Sequence, residues 1–191
     1  MPIFDHFDIL APLYDRLIRI PENDRLAQVV GLPVAGRLLD AAGGTGRIAQ
    51  QLVDRAGLVV ISDVSFNMLR QSRQKDGLCC AVGSETEKLA FADASFERVI
   101  VVDAYHHLLD QELSLREFWR VLAPGGRLII EEPDIRRFGV KLLALAEKLA
   151  LFRSHFVLAE KIAMRLEAFG AKTNVKRDGA TVWIVAEKEL R

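Results

Sequence analysis

Short apolar runs alternate with helical segments along most of this chain of 191 residues, and no other feature limits its fold as strongly. The five runs predicted to be strands lie at residues 37–41, 58–62, 78–82, 98–103 and 127–132. Strands separated by helices pair in parallel through right-handed crossovers. Runs that are apolar at nearly every position are typical of strands covered on both faces. The alternation therefore predicts an α/β fold with a doubly wound, mostly parallel sheet and helices on both faces.

The last part of the chain departs from this alternation. Two helical segments, at 135–152 and 157–169, precede two strand-like runs at 171–177 and 180–188. Asp178-Gly179 separates these runs, and this dipeptide between two strands is a strong signal for a two-residue hairpin. The sheet should therefore have seven strands, with an antiparallel C-terminal strand.

The composition favours a small-molecule partner. Lys plus Arg and Asp plus Glu both number 26, so the formal net charge is zero, whereas nucleic-acid binders usually carry a basic excess. No uncharged run approaches the ~20 residues of a membrane-spanning helix, and acids near the start are unlike a secretory signal. Adjacent Cys79 and Cys80 are interpreted as buried thiols in a reducing compartment. We expect a cytoplasmic protein with no nucleic-acid partner, no transmembrane segment and no metal.

A glycine-rich segment follows the first predicted strand. Gly43, Gly44 and Gly46 lie at the carboxyl end of that strand, where open α/β sheets bind ligands. Glycine permits a sharp turn and close approach of a ligand to the backbone. The N-terminus of the next helix offers N–H groups to a carboxylate or phosphate. Asp63, after the second strand, is an acid suited to ribose hydroxyls. These residues predict a site for a nucleoside cofactor.

Two cofactors fit this glycine spacing. Gly44, Gly46 and Ala49 satisfy the G-x-G-x-x-A fingerprint, with Asp63 following at about the ~20-residue interval of an NAD-dependent oxidoreductase. S-adenosylmethionine fits the same residues. Asp40 favours the second cofactor, because its charge would oppose a pyrophosphate but suits a cationic methionine portion. The antiparallel hairpin also favours S-adenosylmethionine, since dinucleotide-binding sheets are parallel. The chain is also short for the substrate domain that an NAD-dependent oxidoreductase usually has. A non-catalytic protein that binds S-adenosylmethionine is a further alternative.

Five segments, taken in order, resemble the class I S-adenosylmethionine-dependent methyltransferases. The resemblance is strongest to the broad group that includes the ubiquinone and menaquinone C-methyltransferases. The segments are FDILAPLYD, LLDAAGGTGRIAQQL, VISDVSFNML, EKLAFADASFERVIVVDAYHHLLD and REFWRVLAPGGRLIIEEPD. They resemble the family's N-terminal cap, its glycine motif, its second-strand motif, its "HH" segment and its "RVLKPGG" motif. The resemblance implies a Rossmann-like sheet and methyl transfer to a small molecule.

The resemblance also implies the residues around the methionine portion of the cofactor. Asp40 would lie near its ammonium group, directly or through water, and Tyr14 would close the site from the N-terminal cap. The residues implied to wrap or line the methionine portion are Ala42, Gly43, Gly44, Gly46, Asp103 and Ala104.

The nucleoside portion is assigned in the same way. The resemblance implies that Asp63 accepts hydrogen bonds from the ribose, and that Val64 and Met68 pack on the adenine. Glu85 and the backbone of Thr86 would read the adenine edge. The segment Gly83-Ser84-Glu85-Thr86 departs from the family's usual "GDA" pattern, so this last assignment could slip by one residue.

His106 and His107 are the candidate catalytic residues. They follow the fourth strand, beside the predicted methyl group, and imidazole is a suitable base near neutral pH. A base helps methyl transfer only when the acceptor must lose a proton, since the main task is positioning. The same pair also resembles a structural element of the family.

The segment 138–152 is the most distinctive apolar helix. Its apolar residues repeat at helical spacing, which fits either a helix packed in the core or a lid over an apolar methyl acceptor. We therefore expect a single domain over residues 1–191, with a helical cap at 1–31 and a helical lid at 135–157.

Overall fold

The computed structural model describes the backbone of residues 24–149 and 154–190, and the side chains of residues 25–146 and 154–190. Within this part of the chain, seven strands form one sheet. They are β1 (Val34–Ala41), β2 (Ala56–Asp63), β3 (Cys80–Gly83), β4 (Phe96–Val102), β5 (Leu122–Pro133), β6 (Lys172–Asp178) and β7 (Thr181–Glu187). The helices are α1 (Asp24–Val30), α2 (Arg47–Leu52), α3 (Phe66–Ser72), α4 (Gln111–Val121), α5 (Phe138–Leu149) and α6 (Ala159–Glu167).

The strand order is β3-β2-β1-β4-β5-β7-β6. Strands β1 to β5 are parallel, whereas β7 is antiparallel to β5 and to β6. From β1 the chain adds β2 and β3 on one side of the sheet. It then crosses to the other side of β1, where β4 and the remaining strands lie. The predicted fold class is therefore confirmed, including the antiparallel C-terminal strand.

The two faces of the sheet carry separate apolar cores. Leu38 and Leu39 are both fully buried, yet they belong to different cores because successive strand residues point to opposite faces. Helices α4 and α6 cover the face of Leu39, and α1, α2 and α3 cover the face of Leu38. Burial on both faces explains why these strands are apolar throughout.

Two helices begin at a side chain that caps their first turn. The Ser65 hydroxyl accepts a hydrogen bond from the Met68 backbone N–H at 3.2 Å and begins α3. The Asp110 carboxylate accepts from the N–H groups of Glu112 and Leu113 and begins α4. Both side chains use donors that the first turn of a helix leaves unpaired.

Glycines shape three irregular points of the chain. Gly57 lies inside β2, where a Cβ atom would collide with the Ala35 carbonyl oxygen of β1. Pro124-Gly125-Gly126 forms an irregularity within β5, where Gly125 donates its N–H to the Lys188 carbonyl at 2.8 Å. Asp178 pairs with Thr181, so the hairpin loop is Gly179-Ala180.

The expected burial of both cysteines is wrong. Cys79 is exposed and Cys80 is half-buried, because β3 is an edge strand with a neighbour on one side only. Their sulfur atoms lie 3.4 Å apart and both thiols are free. In the part of the chain that the structure describes, no helix is long and apolar enough to cross a membrane, and no cluster of metal-ligating side chains occurs.

Candidate functional site

The loop after β1 is shaped by left-handed backbone at Ala42, Gly44 and Gly46, with φ values of 55°, 55° and 73°. A Cβ atom at Gly43 would lie 2.7 Å from the Asp40 carboxyl carbon, and one at Gly46 would lie 2.7 Å from two core methyl groups. Gly44 is different, because a Cβ there would meet no atom closer than 4.0 Å. The loop is therefore packed tightly on the sheet at two glycines and open to an incoming ligand at the third.

Asp63, at the end of β2, holds this loop in place. One carboxylate oxygen accepts a hydrogen bond from the Gly44 N–H and the other from the Ser65 N–H, both at 2.8 Å. Each oxygen of a carboxylate can accept more than one hydrogen bond. The half-buried Asp63 carboxylate can therefore bind further donors while it keeps the loop attached to the start of α3.

Asp40 is the buried acid of the site, with 2% of its surface exposed. Its Oδ2 atom has no hydrogen-bond partner among the described residues. Burial, and to a smaller degree repulsion from Asp63, raises the pKa of Asp40 from 3.8 to about 7, against the opposing effects of the Ala49 N–H and Arg47. An unpaired buried carboxyl oxygen beneath a ligand-accessible loop suits a cationic hydrogen-bond donor.

The residues assigned to adenine have unequal surroundings. Met68 is buried, and its sulfur would lie 4.0 Å from a Cβ placed on Gly44, so it forms the floor beneath the loop. Val64 and Glu85 are exposed. The buried Thr86 hydroxyl is hydrogen-bonded at 2.9 Å to Ser114 of α4, which leaves only its backbone for a ligand.

A second polar cluster lies where β4 and β5 end. The carboxylate of Glu132 accepts the Tyr105 N–H at 2.8 Å with Oε1 and lies 2.5 Å from His106 Nδ1 with Oε2. Glu132 and His106 are 6% and 4% exposed. The sequence analysis missed Glu132. An acid near the end of β5 was a usable signal, because parallel strands end at the same edge of the sheet.

The segment after α5 packs on this cluster. The Phe156 ring stacks on the His106 imidazole with a centroid distance of 4.2 Å and an angle of 15° between the planes. The His155 N–H donates to the His106 carbonyl at 2.6 Å. The Gln111 side chain donates to the carbonyl oxygens of both Tyr105 and His155. The chain from 154 to 156 is thus attached to the end of β4.

The two candidate histidines differ in basicity and surroundings. Burial, with a contribution from the adjacent His106, lowers the pKa of His107 to about 3. A ring with so low a pKa stays neutral at pH 7 and accepts protons poorly. The His107 Nδ1 lies 3.3 Å from the Ser154 hydroxyl. His106, held by a carboxylate, is the better candidate base.

Acids line the same edge of the sheet. Asp103 follows β4 with φ of 50° and donates its backbone N–H to the Glu131 carbonyl at 2.9 Å. The Glu131 carboxylate accepts the Trp183 indole N–H, and burial is the main reason why its pKa is raised to about 7. Ala104 lies next in the chain and is half-buried. An edge lined by acids favours a cationic ligand.

The apolar face of α5 lies on the surface. Leu142 and Leu145 are 52% and 54% exposed, and Phe138 is also exposed, whereas Val140 is buried. The alternative of a helix packed in the core therefore fails for these three side chains. A groove of about 410 Å³ runs between the start of α5 and residues 156–158. Tyr14 and the rest of the expected cap up to residue 23 lie outside the described residues.

Comparison with known proteins adds the family context. Residues 39–130 match the model of the methyltransferase domain family. The chain is 38% identical over 140 residues to the ubiquinone/menaquinone biosynthesis C-methyltransferase UbiE of Syntrophotalea carbinolica, covering 66% of this chain and 59% of that relative. Identity to the protein of the same name from Geotalea daltonii is 33% over 152 residues, covering 71% and 65%. The chain thus spans about three fifths of the length of these relatives.

A solved structure from Thermotoga maritima extends the likeness in fold. It is a SAM-dependent methyltransferase described as a possible histamine N-methyltransferase, with a TM-score of 0.79 and 23% identity, covering 96% of this chain and 98% of that one. At this identity the match concerns the fold alone.

Proposed function

We propose that this chain, which belongs to the class I S-adenosylmethionine-dependent methyltransferases, transfers the methyl group of S-adenosylmethionine to a small acceptor with a largely apolar body. One observation carries the proposal: the open glycine loop of β1 is tied to the Asp63 carboxylate at the end of β2 through the Gly44 N–H. The NAD-dependent alternative is not favoured, because the family match and the antiparallel pair β5–β7 both fit methyltransferases.

The described residues fit the cofactor at three points. The carboxylate of Asp63 suits the two ribose hydroxyls, because each of its oxygens can accept more than one hydrogen bond. The open space at Gly44 leaves room for the part of a ligand that lies against the backbone. The buried, unpaired Oδ2 of Asp40 suits an ammonium donor. A nucleoside and an amino-acid ammonium group on one ligand would satisfy all three points.

The remaining assignments follow from these contacts. Ala42, Gly43, Gly44 and Gly46 would enclose the methionine portion, with Asp103 and Ala104 lining its far end. Val64, Met68, Glu85 and the Thr86 backbone would contact the adenine, with Met68 as the floor. Tyr14 would close the site from the cap at 1–31.

When bound, S-adenosylmethionine supplies an electrophilic methyl group on a sulfonium sulfur. The protein's task is to hold the acceptor in line with that group and to keep water out. The acids Asp40, Asp103 and Glu131 favour a cationic ligand at this edge. His106 would take a proton from an acceptor that must lose one, and His107, neutral at pH 7, would serve to shape the site.

The acceptor is proposed to lie between the cap and the lid at 135–157. The exposed apolar residues Phe138, Leu142 and Leu145 support this placement. Burying them against an apolar acceptor would yield about 25 cal/mol per Å². The names of the two relatives point to a quinone-type acceptor. A small-molecule reaction in the cytoplasm, without nucleic acid, is consistent with the balanced charge of the chain.

Calorimetry and a turnover assay test this proposal. We expect the purified protein to bind S-adenosylmethionine or its demethylated product and to show no affinity for NAD. With S-adenosylmethionine labelled in the methyl group, transfer should occur to 1,4-naphthoquinol, a reduced quinone, more readily than to polar acceptors such as histamine. Binding without transfer to any acceptor of the panel would indicate a binding protein. Binding of NAD alone would refute the proposal.

A further inference from the structure

We infer that Glu132 is the positioning residue of His106: it holds the imidazole in the tautomer with the proton on Nδ1, so that Nε2 takes the proton released by the methyl acceptor. The last part of this inference rests on the proposed methyl transfer. The tautomer itself does not, and it can be measured on the protein alone.

The hydrogen bonds of Glu132 favour one tautomer. A backbone N–H can only donate, so Oε1 accepts from Tyr105. The other oxygen, Oε2, lies 2.5 Å from His106 Nδ1, so a proton must lie between these two atoms. We assign this proton to Nδ1, because a carboxylate that already accepts a backbone N–H is suited to accept a second donor. The second ring nitrogen, Nε2, is then the proton acceptor of the imidazole.

The surroundings fix the ring in this orientation. Phe156 covers one face of the His106 imidazole, and the His155 N–H donates a hydrogen bond to the His106 carbonyl. Because His106 and Glu132 are almost fully buried, water competes little for their hydrogen bond. A buried carboxylate also stabilises the imidazolium that forms when Nε2 takes a proton.

This arrangement defines the class of acceptor. The acceptor atom bears a hydrogen, as in a hydroxyl group or an activated carbon. As its bond to the methyl carbon forms, its proton goes to Nε2 of His106, and the electron pair of the broken carbon–sulfur bond stays on sulfur. The imidazolium later returns the proton to solvent. Acceptors that need no deprotonation, such as a free thiolate, would gain nothing from Glu132.

The variant Glu132→Gln tests the tautomer. The glutamine side chain has a single oxygen that can accept. The Tyr105 N–H retains its hydrogen bond to this oxygen, because a backbone N–H can only donate. The glutamine NH₂ then faces His106 Nδ1, which must accept, so the ring proton moves to Nε2. The matched control is Glu131→Gln, since the neighbouring Glu131 binds the Trp183 indole instead.

Long-range ¹H–¹⁵N spectra of protein labelled in histidine report the tautomer directly, with His106→Gln used to assign the signals. We expect the Nδ1–H tautomer in the parent and in Glu131→Gln, and the Nε2–H tautomer in Glu132→Gln. A parent ring protonated on Nε2, or a tautomer unchanged in Glu132→Gln, would overturn the inference. Near-ultraviolet circular dichroism checks that each variant is folded, and Glu132→Asp provides a second variant if glutamine is not tolerated.

Turnover with 1,4-naphthoquinol tests whether Glu132 supports catalysis by His106 or has only a structural role. General-base catalysis typically contributes roughly 10²–10⁴-fold, so Glu132→Gln should lower kcat by about 100-fold or more. The KM and the affinity for S-adenosylmethionine should change little. A changed tautomer with unchanged kcat would refute the catalytic role of Nε2. Failure of the parent to bind S-adenosylmethionine would refute the proposed function and leave the tautomer result standing.

Discussion

Replacing Asp40 by asparagine should make the cofactor-free protein more stable at alkaline pH and weaker as a cofactor binder. Asp40 is buried, and its pKa is raised from 3.8 to about 7. Between these two values the native state holds a proton that the unfolded chain has lost, so stability falls as pH rises through this window and levels off above pH 7. At 1.36 kcal/mol for each pH unit, the full loss is at most roughly 4 kcal/mol.

Urea denaturation at several pH values between 5 and 8 measures this effect. From pH 5 to pH 8 the parent should lose about 2–3 kcal/mol of stability that Asp40→Asn keeps, because about two pH units of the window lie above pH 5 and each contributes 1.36 kcal/mol. The lower figure allows for water entering the site. Glu131, whose pKa is also about 7, lowers the stability of both proteins and cancels in the comparison. Asp54→Asn, at an exposed carboxylate, is the control and should follow the parent.

Two results would refute this reasoning. If Asp40→Asn loses stability between pH 5 and 8 as steeply as the parent, Asp40 is not a buried, ionising acid. If calorimetry at pH 8 finds S-adenosylmethionine bound as tightly by the variant, the unpaired Oδ2 does not contact the cofactor. We expect binding to be weaker by about tenfold or more, the loss of one hydrogen bond to a charged group.

Three further predictions concern single side chains. Asp63→Ala should weaken S-adenosylmethionine binding in calorimetry by about 1–3 kcal/mol and should also lower stability, because two backbone donors lose their acceptor; unchanged affinity would refute the ribose assignment. Leu142→Asn should change stability by less than about 0.5 kcal/mol yet impair acceptor kinetics, whereas Val140→Asn at a buried position should destabilise the fold; unaltered kinetics would place the lid elsewhere. Gly57→Ala should lower the urea midpoint, since its Cβ would collide with the Ala35 carbonyl, and a normal midpoint would contradict the tight pairing of β1 and β2.

The fold was predictable because its signals are local. Ser65 and Asp110 begin helices through side chains whose preference for that position is intrinsic. The apolar strands are recognisable because both faces of the sheet are covered. The role of Gly57 is ambiguous from the sequence, since glycine ends helices as readily as it permits close contact between strands, and only the partner strand decides which role it takes.

The prediction of the candidate site relies on motifs, and the structure shows where their residues lie. The glycine loop and Asp63 lie close in sequence to the strands that position them. Glu132 was missed because its contact with His106, which precedes it by 26 residues, forms only after β4 and β5 pair. The exposure of Leu142 was also undecided. Helical spacing shows that the apolar residues share one face of the helix, but it does not show whether that face is covered by other parts of the protein.

The position of β7 has a consequence for synthesis on the ribosome. Because β7 lies between β5 and β6, the earlier strand β6 cannot join the sheet until β7 has been made. The apolar edge of β5 therefore stays unpaired while the residues up to Glu187 are added, roughly several seconds at ~5–20 residues per second. An unpaired apolar edge is a template for aggregation. Slow codons between β5 and β7 should therefore lower the yield of folded protein more than slow codons before β5.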